Sequence, residues 1–208
     1  SIYNLHHKAV QGILNEDVII QTKEDGSTLS FCKINGEYYA RSKGKHLILE
    51  NPEKLFSKGV EAIKTLDLRD GWIYRGEYLS TPRHNTLKYN RIPNKHIILF
   101  DIERAESDFL TYEEMVEEAS RIGLETVELL FRGKVENVEF LKQLLDKEDI
   151  LGGTKIEGIV IKQYKLFGPD KKLLFAKLVR EEFKEINQKQ WKVTNPTLGD
   201  IIQGIINK

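Results

Sequence analysis

Lys23-Glu24-Asp25-Gly26-Ser27 is the stretch on which the reading of this chain turns. A lysine amine is a usable nucleophile only where burial or neighbouring cations pull its pKa down. The Asp-Gly behind Lys23 favours a tight turn, which would present the amine at the lip of a pocket and not along a strand. That placement suits covalent transfer of a nucleotide. The bland alternative is a surface turn, since three fixed letters recur by chance in a lysine-rich chain.

Working outward, Thr28 to Ile34 and Glu37 to Ser42 read as strands joined by Asn35-Gly36. That pair favours a two-residue type I′ turn, whose central positions both need positive φ. Cys32 falls in this alternating strand and is expected in the core; as the only cysteine it can form no internal disulfide. Asn51-Pro52 opens a helix with Leu55, Phe56, Val60, Ile63 and Leu66 on its buried side. Trp72 to Leu79 and Lys95 to Glu103 are strands, the second too continuously apolar at Ile97–Phe100 to have one wet face. Thr111 with Glu114 forms a capping box for a helix ending at Gly123, and a second helix spans Asn137 to Asp146 with Val138, Leu141, Leu144 and Leu145 on one side. Ile156 to Gln163 and Leu173 to Val179 are strands paired across the Phe167-Gly168-Pro169-Asp170 turn. Strands joined by tight turns and interrupted by helices imply an α+β fold with antiparallel sheets.

The chain has 208 residues, 31% of them charged and 40% hydrophobic, as in a globular protein with one well-filled core or two small lobes. No run approaches the ~18 apolar residues of a membrane-spanning helix and no signal peptide opens the chain, so no membrane partner is expected. Residues 1–208 read as a single domain, since no repeat or Pro/Gly/Ser linker divides them. The net charge is zero but unevenly placed: residues 101–149 carry −9, residues 162–192 carry +5 and residues 1–100 carry +4. A local basic surface is enough to grip phosphates. His84 has no second histidine or cysteine at metal spacing, so no zinc site is expected. The loop Thr81-Pro82-Arg83-His84-Asn85-Thr86 is either a nucleic-acid contact or an ordinary surface loop.

After Lys23 come, in order, Arg41, Tyr74-Arg75-Gly76-Glu77, Leu99-Phe100-Asp101-Ile102, Glu157-Gly158-Ile159-Val160-Ile161-Lys162 and Phe175-Ala176-Lys177-Leu178. This series resembles the nucleotidyltransferase motifs of the covalent ATP-dependent polynucleotide ligase superfamily, which includes DNA ligases, RNA ligases and mRNA capping enzymes. It runs from about Lys23 to Lys177, and Lys-Glu-Asp-Gly-Ser looks most like the phage-type RNA ligases. The resemblance implies an adenylation domain of nucleotidyltransferase (ATP-grasp-like) fold, with antiparallel sheets flanked by helices around an ATP cleft. Two departures stand out. Ser27-Thr28-Leu29-Ser30 lacks the arginine usual in DNA ligases and capping enzymes, and Lys177 is followed by Leu178-Val179-Arg180 and not by a second lysine one residue on. Phe183-Lys184-Glu185 matches a pattern seen after that strand in some RNA ligases.

Carried over residue by residue, the resemblance makes Lys23 the nucleophile that attacks the α-phosphorus of ATP, expels pyrophosphate and becomes lysyl-AMP. Lys177 would contact the α-phosphate, with Lys162 a second cation unless it is only an exposed strand-end lysine. Glu157 would hold Mg²⁺, with Mn²⁺ able to substitute, because such ions take oxygen ligands. Glu77 would hold the ribose hydroxyls, Phe100 would stack on adenine, and Gln21 and Thr22 would meet the adenine edge. Arg41 would bind the ribose or the 5′-phosphate of the polynucleotide.

The expected activity is ATP-dependent RNA ligation, which carries AMP to an RNA 5′-phosphate for sealing to a 3′-OH. The chain would be a monomer serving RNA repair in a reducing cytoplasm, or a phage protein acting in its host's cytoplasm. DNA ligase is the second reading, GTP-dependent capping guanylyltransferase the third, and a non-catalytic nucleic-acid-binding relative the rival from another class. Leu198, Ile201, Ile202, Ile205 and Ile206 give the segment 196–208 a helical apolar stripe, expected to begin a further C-terminal module.

Overall fold

The computed structural model describes residues 2–168 and 171–180. In chain order the strands are β1 (Tyr3–Asn4), β2 (Val18–Lys23), β3 (Ser27–Ile34), β4 (Glu37–Ser42), β5 (Lys45–His46) and β6 (Ile73–Tyr78). They continue as β7 (Ile97–Ala105), β8 (Asp108–Phe109), β9 (Glu125–Thr126), β10 (Leu129–Gly133), β11 (Gly158–Phe167) and β12 (Leu173–Val179). The α-helices are α1 (Ser57–Ile63), α2 (Tyr112–Ile122) and α3 (Val138–Leu144). One sheet has the order β1-β12-β11-β2-β10, the other β5-β4-β3-β6-β7-β8 with β9 beside β7. Pairing is antiparallel except for β1 with β12 and β7 with β9. This is the α+β architecture expected.

Alternation along the strands assigns each sheet two unlike faces. Ile20, Ile159, Ile161, Leu174, Ala176 and Leu178 form one core on the outer face of the first sheet, covered by α3. Leu29, Phe31, Tyr74, Leu99 and Ile102 form another on the outer face of the second, under α1 and α2. The inner faces carry the polar residues and look at each other. Phe109 of β8 touches Phe175 and Tyr164 of the opposite sheet at 5.3 and 6.2 Å between ring centres, closing one end of the cleft.

Several local signals act as read. Asn35 and Gly36 have φ of 51° and 83°, joining β3 to β4 in the two-residue turn. Thr111 and Glu114 exchange both capping-box hydrogen bonds, and Gly123 ends α2 at φ 80°. Other expectations need correcting. The helix after Asn51-Pro52 begins as a 3₁₀ turn at Lys54–Phe56, and Leu55 lies off the Phe56-Val60-Ile63 stripe, 47% exposed. Val138, expected on the buried side of α3, is 37% exposed. Cys32 is half-buried, because it shares the inner face with Tyr39 and not the core face with Leu29 and Phe31. Part of the expected β11–β12 turn (Pro169, Asp170), Phe183-Lys184-Glu185 and the helix 196–208 lie outside the described residues.

The two motif glycines serve close approach. Neither Gly26 nor Gly158 has positive φ. A Cβ on Gly26 would lie 2.4 Å from the Tyr78 carbonyl oxygen, and one on Gly158 2.4 Å from that of Leu178. Gly158→Ala is therefore expected to push β12 off β11 and to cost about 1–3 kcal/mol of stability. Urea unfolding measures this, and an unchanged midpoint would mean that the strands have room to spare.

Candidate active site

The chain crosses from one sheet to the other between β2 and β3, through Glu24-Asp25-Gly26. Lys23 is the last residue of β2, in register with Gly158. It stands on a strand end and not on the loop expected. Its side chain is 23% exposed, and its Nζ donates to Glu157 Oε2 at 3.0 Å. Glu157 precedes β11 and is 5% exposed. Glu77 on β6 is 9% exposed and accepts the Gly26 N–H at 3.1 Å.

Burial pushes the Glu157 carboxyl up to about 8, against the pull of Lys23. Glu77 is likewise raised by burial to about 7, while the charges of Lys23 and Lys177 oppose it. For Lys23 burial works downward, but Glu157, Glu77 and Asp25 outweigh it and leave the amine raised. The depressed pKa expected of a nucleophile is thus absent in this arrangement: Lys23 is held as an ammonium. Lys177 shows the opposite balance. Burial lowers it, and the charges of Lys23 and then Lys43 contribute in the same direction. It lies beside Val160 on the inner face, its side chain with no ion partner among the described residues. Two amines and two buried carboxyls therefore share one end of the cleft.

Gln21, Val160 and Lys177 form the next row along the same face. Gln21 is 2% exposed and its Oε1 is buried with no hydrogen-bond partner among the described residues. Phe100 is the extra residue of a bulge: Arg75 pairs with Asp101 and Gly76 with Leu99. The bulge breaks alternation at Phe100 and leaves its ring half-buried between fully buried Leu99 and Asp101. Arg41 is exposed on β4, in register with Ser30 and His46.

Two expected site residues go elsewhere. The Thr22 side chain points to the opposite face, where its hydroxyl donates to Glu24 Oε1 at 3.2 Å and accepts the Glu128 N–H at 3.1 Å. It is not available to a nucleotide in the cleft. Lys162 is neither at a strand end nor beside Lys23. It sits within β11, 1% exposed, and its Nζ donates to the carbonyl of Phe100. Burial lowers its pKa to about 8, and Asp101 opposes the shift. It ties the first sheet to the bulge that carries Phe100.

Sequence reasoning missed the supports. Asp25 Oδ2 accepts the N–H groups of Thr86 and Leu87, each at 2.8 Å, and the Asp25 N–H donates to Tyr89 Oη at 2.8 Å. Asn85 Nδ2 donates to the Gly26 carbonyl at 2.8 Å, and His84 Nε2 is 2.8 Å from Ser27 Oγ. The loop at Thr81–Thr86 is thus fastened to the Lys23 turn. An Asp before a Gly was the one signal, read as turn chemistry alone. Glu24 and Asp149 are also buried, 1% and 3% exposed, against each other. Glu24 Oε2 and Asp149 Oδ2 find no donor elsewhere among the described residues, so one proton between the two carboxyls satisfies both. A separate open cavity of about 320 Å³, against α2, is lined by Arg69, Trp72, Arg104 and Glu118 and includes none of the motif residues.

Burial, followed by the hydrogen bond and charge of Asp149, raises the Glu24 pKa well above the ordinary glutamate range. The folded state then keeps a proton that the unfolded chain releases near pH 4.3. The resulting stability is complete below that pH and is lost as pH rises through the folded value. Thermal unfolding is expected to fall in midpoint as pH rises above the ordinary glutamate range and through the raised Glu24 value. Glu24→Gln keeps a donor without titrating and should flatten part of that slope; an identical slope would assign it to other groups.

A sequence model of the RNA ligase family matches residues 16–179. Comparison with curated proteins finds no match. Among solved structures, the RNA ligase of Naegleria gruberi with pyrophosphate aligns at a TM-score of 0.65 and 16% identity, over 91% of this chain and 57% of that one. A lysine-to-alanine mutant of that enzyme with ATP and Mn aligns at 0.65 and 15% identity, over 90% and 56%. This chain thus spans somewhat over half the length of those ligases, and the likeness establishes the nucleotidyltransferase fold. With the family match covering the stretch from before Lys23 to the end of β12, this chain belongs to the RNA ligase family.

Proposed function

We propose that this chain is the adenylyltransferase domain of an ATP-dependent RNA ligase, with Lys23 as the residue that becomes lysyl-AMP. The observation that carries the reading is the pairing of Lys23 with Glu157 in a cleft that also holds Lys177, which has no ion partner among the described residues. The Lys23 amine attacks the α-phosphorus of ATP, the bond to the β-phosphate oxygen breaks and pyrophosphate leaves. An RNA 5′-phosphate oxygen then takes the AMP from Lys23, and a 3′-hydroxyl displaces AMP as the strand is sealed.

Each residue has a task set by its placement. Lys177 offsets charge on the α-phosphate, where a fixed cation is worth most in a low-dielectric site. Glu77 accepts hydrogen bonds from the ribose hydroxyls. Phe100 stacks on the base, held by Lys162 through its carbonyl. The Gln21 amide oxygen, without a hydrogen-bond partner among the described residues, suits the 6-amino group of adenine, a donor that guanine replaces with a carbonyl. Glu157 first holds Lys23 as an ammonium, and attack requires that the ammonium give up a proton, for which the Glu157 carboxylate at 3.0 Å is the adjacent acceptor.

The donor set fits Mg²⁺. Among the described residues no three His, Cys, Asp or Glu side chains form a metal cage, and Mg²⁺ characteristically uses one or two carboxylates together with substrate phosphates. Glu157 would hold it, and Mn²⁺ would serve in its place. When bound, the ion supplies positive charge to the phosphate oxygens.

Incubation with α-labelled ATP and Mg²⁺, followed by denaturation, is expected to leave label on the wild-type chain and none on Lys23→Ala. The variant should keep its fold, because burial already raises Glu157 to about 8 and without Lys23 it takes up a proton instead of remaining a bare buried charge. Label on folded Lys23→Ala would remove the assignment.

Glu157→Ala is expected to slow labelling at least about tenfold, on the scale of one lost charge-stabilising group. Raised Mg²⁺ or Mn²⁺ should restore part of the rate. An unchanged rate at every metal concentration would take Glu157 out of the site.

A further inference from the structure

Behind the crossing from β2 to β3 lies a third, small core that the adenylylation chemistry does not use. Leu79, Tyr89 and Leu151 are its buried members, with Leu87 and Ile92 packed against them. Tyr89 is 2% exposed. Its backbone is fixed on both sides: the Tyr89 N–H donates to the Pro82 carbonyl at 2.9 Å, and the Asn90 N–H to that of Gly152 at 3.0 Å. The loop at 149–153 sits closely there, since a Cβ on Gly153 would lie 2.7 Å from Asn90 Oδ1.

This core meets all three segments that bear the buried site residues. Leu79 directly follows β6, which carries Glu77, and Leu151 lies in the loop that leads to Glu157. The Tyr89 hydroxyl takes the Asp25 N–H at 2.8 Å, two residues after Lys23. Asp25 is 4% exposed, so without that hydroxyl the crossing must rearrange to satisfy its N–H. Burial, followed by the charges of Glu24 and Asp149, raises the Tyr89 phenol above its ordinary value. The hydroxyl therefore stays neutral and serves as a fixed hydrogen-bonding group, not as an acid or base.

Under the proposed function the crossing sets the line of attack. Lys23 and Lys177 stand on the first sheet, whereas Glu77 and Phe100, which hold the ribose and the base, stand on the second. The angle at which the amine meets the α-phosphorus thus depends on how the two sheet ends are joined. Asp25 is the middle residue of the three that join them. A misplacement of about 1 Å is enough to cost about a hundredfold in rate.

We infer that Tyr89 is a positioning residue for nucleotidyl transfer: by holding the Asp25 N–H from the Leu79–Leu151 core, its hydroxyl keeps the Lys23 amine in line with the α-phosphorus of a nucleotide carried by the other sheet. This rests on the reading of the chain as an adenylyltransferase.

Tyr89→Phe tests the role, because the ring and its packing remain and one hydrogen-bond acceptor is lost. Single-turnover labelling with α-labelled ATP and Mg²⁺ is followed across ATP concentrations. The maximal rate is expected to fall about tenfold or more, with half-saturating ATP within about threefold of wild type, since no group that touches the nucleotide has changed. Ile63→Val, in the core under α1 and away from the cleft, controls for lost stability alone and is expected to label at the wild-type rate. If circular dichroism finds Tyr89→Phe unfolded, Leu151→Val, which loosens the seat of the ring and keeps the hydroxyl, is judged on the same split. A wild-type maximal rate would overturn the role, and so would a loss confined to half-saturating ATP or an equal loss in Ile63→Val. Failure of the wild-type chain to label removes the adenylyltransferase reading and the role with it, whereas normal wild-type labelling matched by Tyr89→Phe removes the role of Tyr89 alone.

Discussion

The crossing from one sheet to the other in three residues, Glu24 to Gly26, is the constraint on which the rest of the cleft depends. It puts Lys23 at the end of one sheet and the Gly26 N–H against Glu77 of the other. So short a crossing needs all of its polar groups satisfied at once. The Asp25 carboxylate takes two backbone N–H groups from the Thr86–Leu87 loop, and the Tyr89 hydroxyl takes the Asp25 N–H. Gly26 allows the close approach to Tyr78 that any side chain would block. The turn is rigid because neighbouring elements are fastened to it.

The cleft is electrostatically tense by construction. Buried carboxyls at Glu77 and Glu157 face amines at Lys23 and Lys177, and each group's preferred charge depends on its neighbours. Such arrangements contribute little to stability, since desolvation offsets much of the attraction. Their use is in leaving a site responsive to a further charge. The Lys23–Glu157 pair holds the amine protonated until that balance changes, so under the proposed function attack is conditional on what enters the cleft.

Strand alternation divides the labour. One face of each sheet is apolar and builds a core, while the other carries polar and charged side chains, so a single residue step separates Ile20 in the core from Gln21 in the cleft. The bulge at Phe100 is the exception that brings a ring out of an otherwise buried strand, and Lys162 reaches across the cleft to hold it.

Sequence by itself determined the parts of this protein that are local. Asn35-Gly36 selects a turn through the φ values its residues tolerate, and Thr111, Glu114 and Gly123 bound a helix through hydrogen bonds only a few residues long. The order of short motifs brought Lys23, Glu77, Glu157 and Lys177 to one place, because those residue types at those strand ends are themselves a record of one geometry. Tertiary structure alone decided which face each neighbour takes and which distant group it meets. Thr22 turns away from the cleft because register sets its parity; Lys162 is buried because β11 is central; and Glu24 keeps a proton because the fold buries it, with Asp149, far along the chain, against it. Charge, burial and partnership between remote residues arise only when the sheets have formed, and no spacing in the chain encodes them.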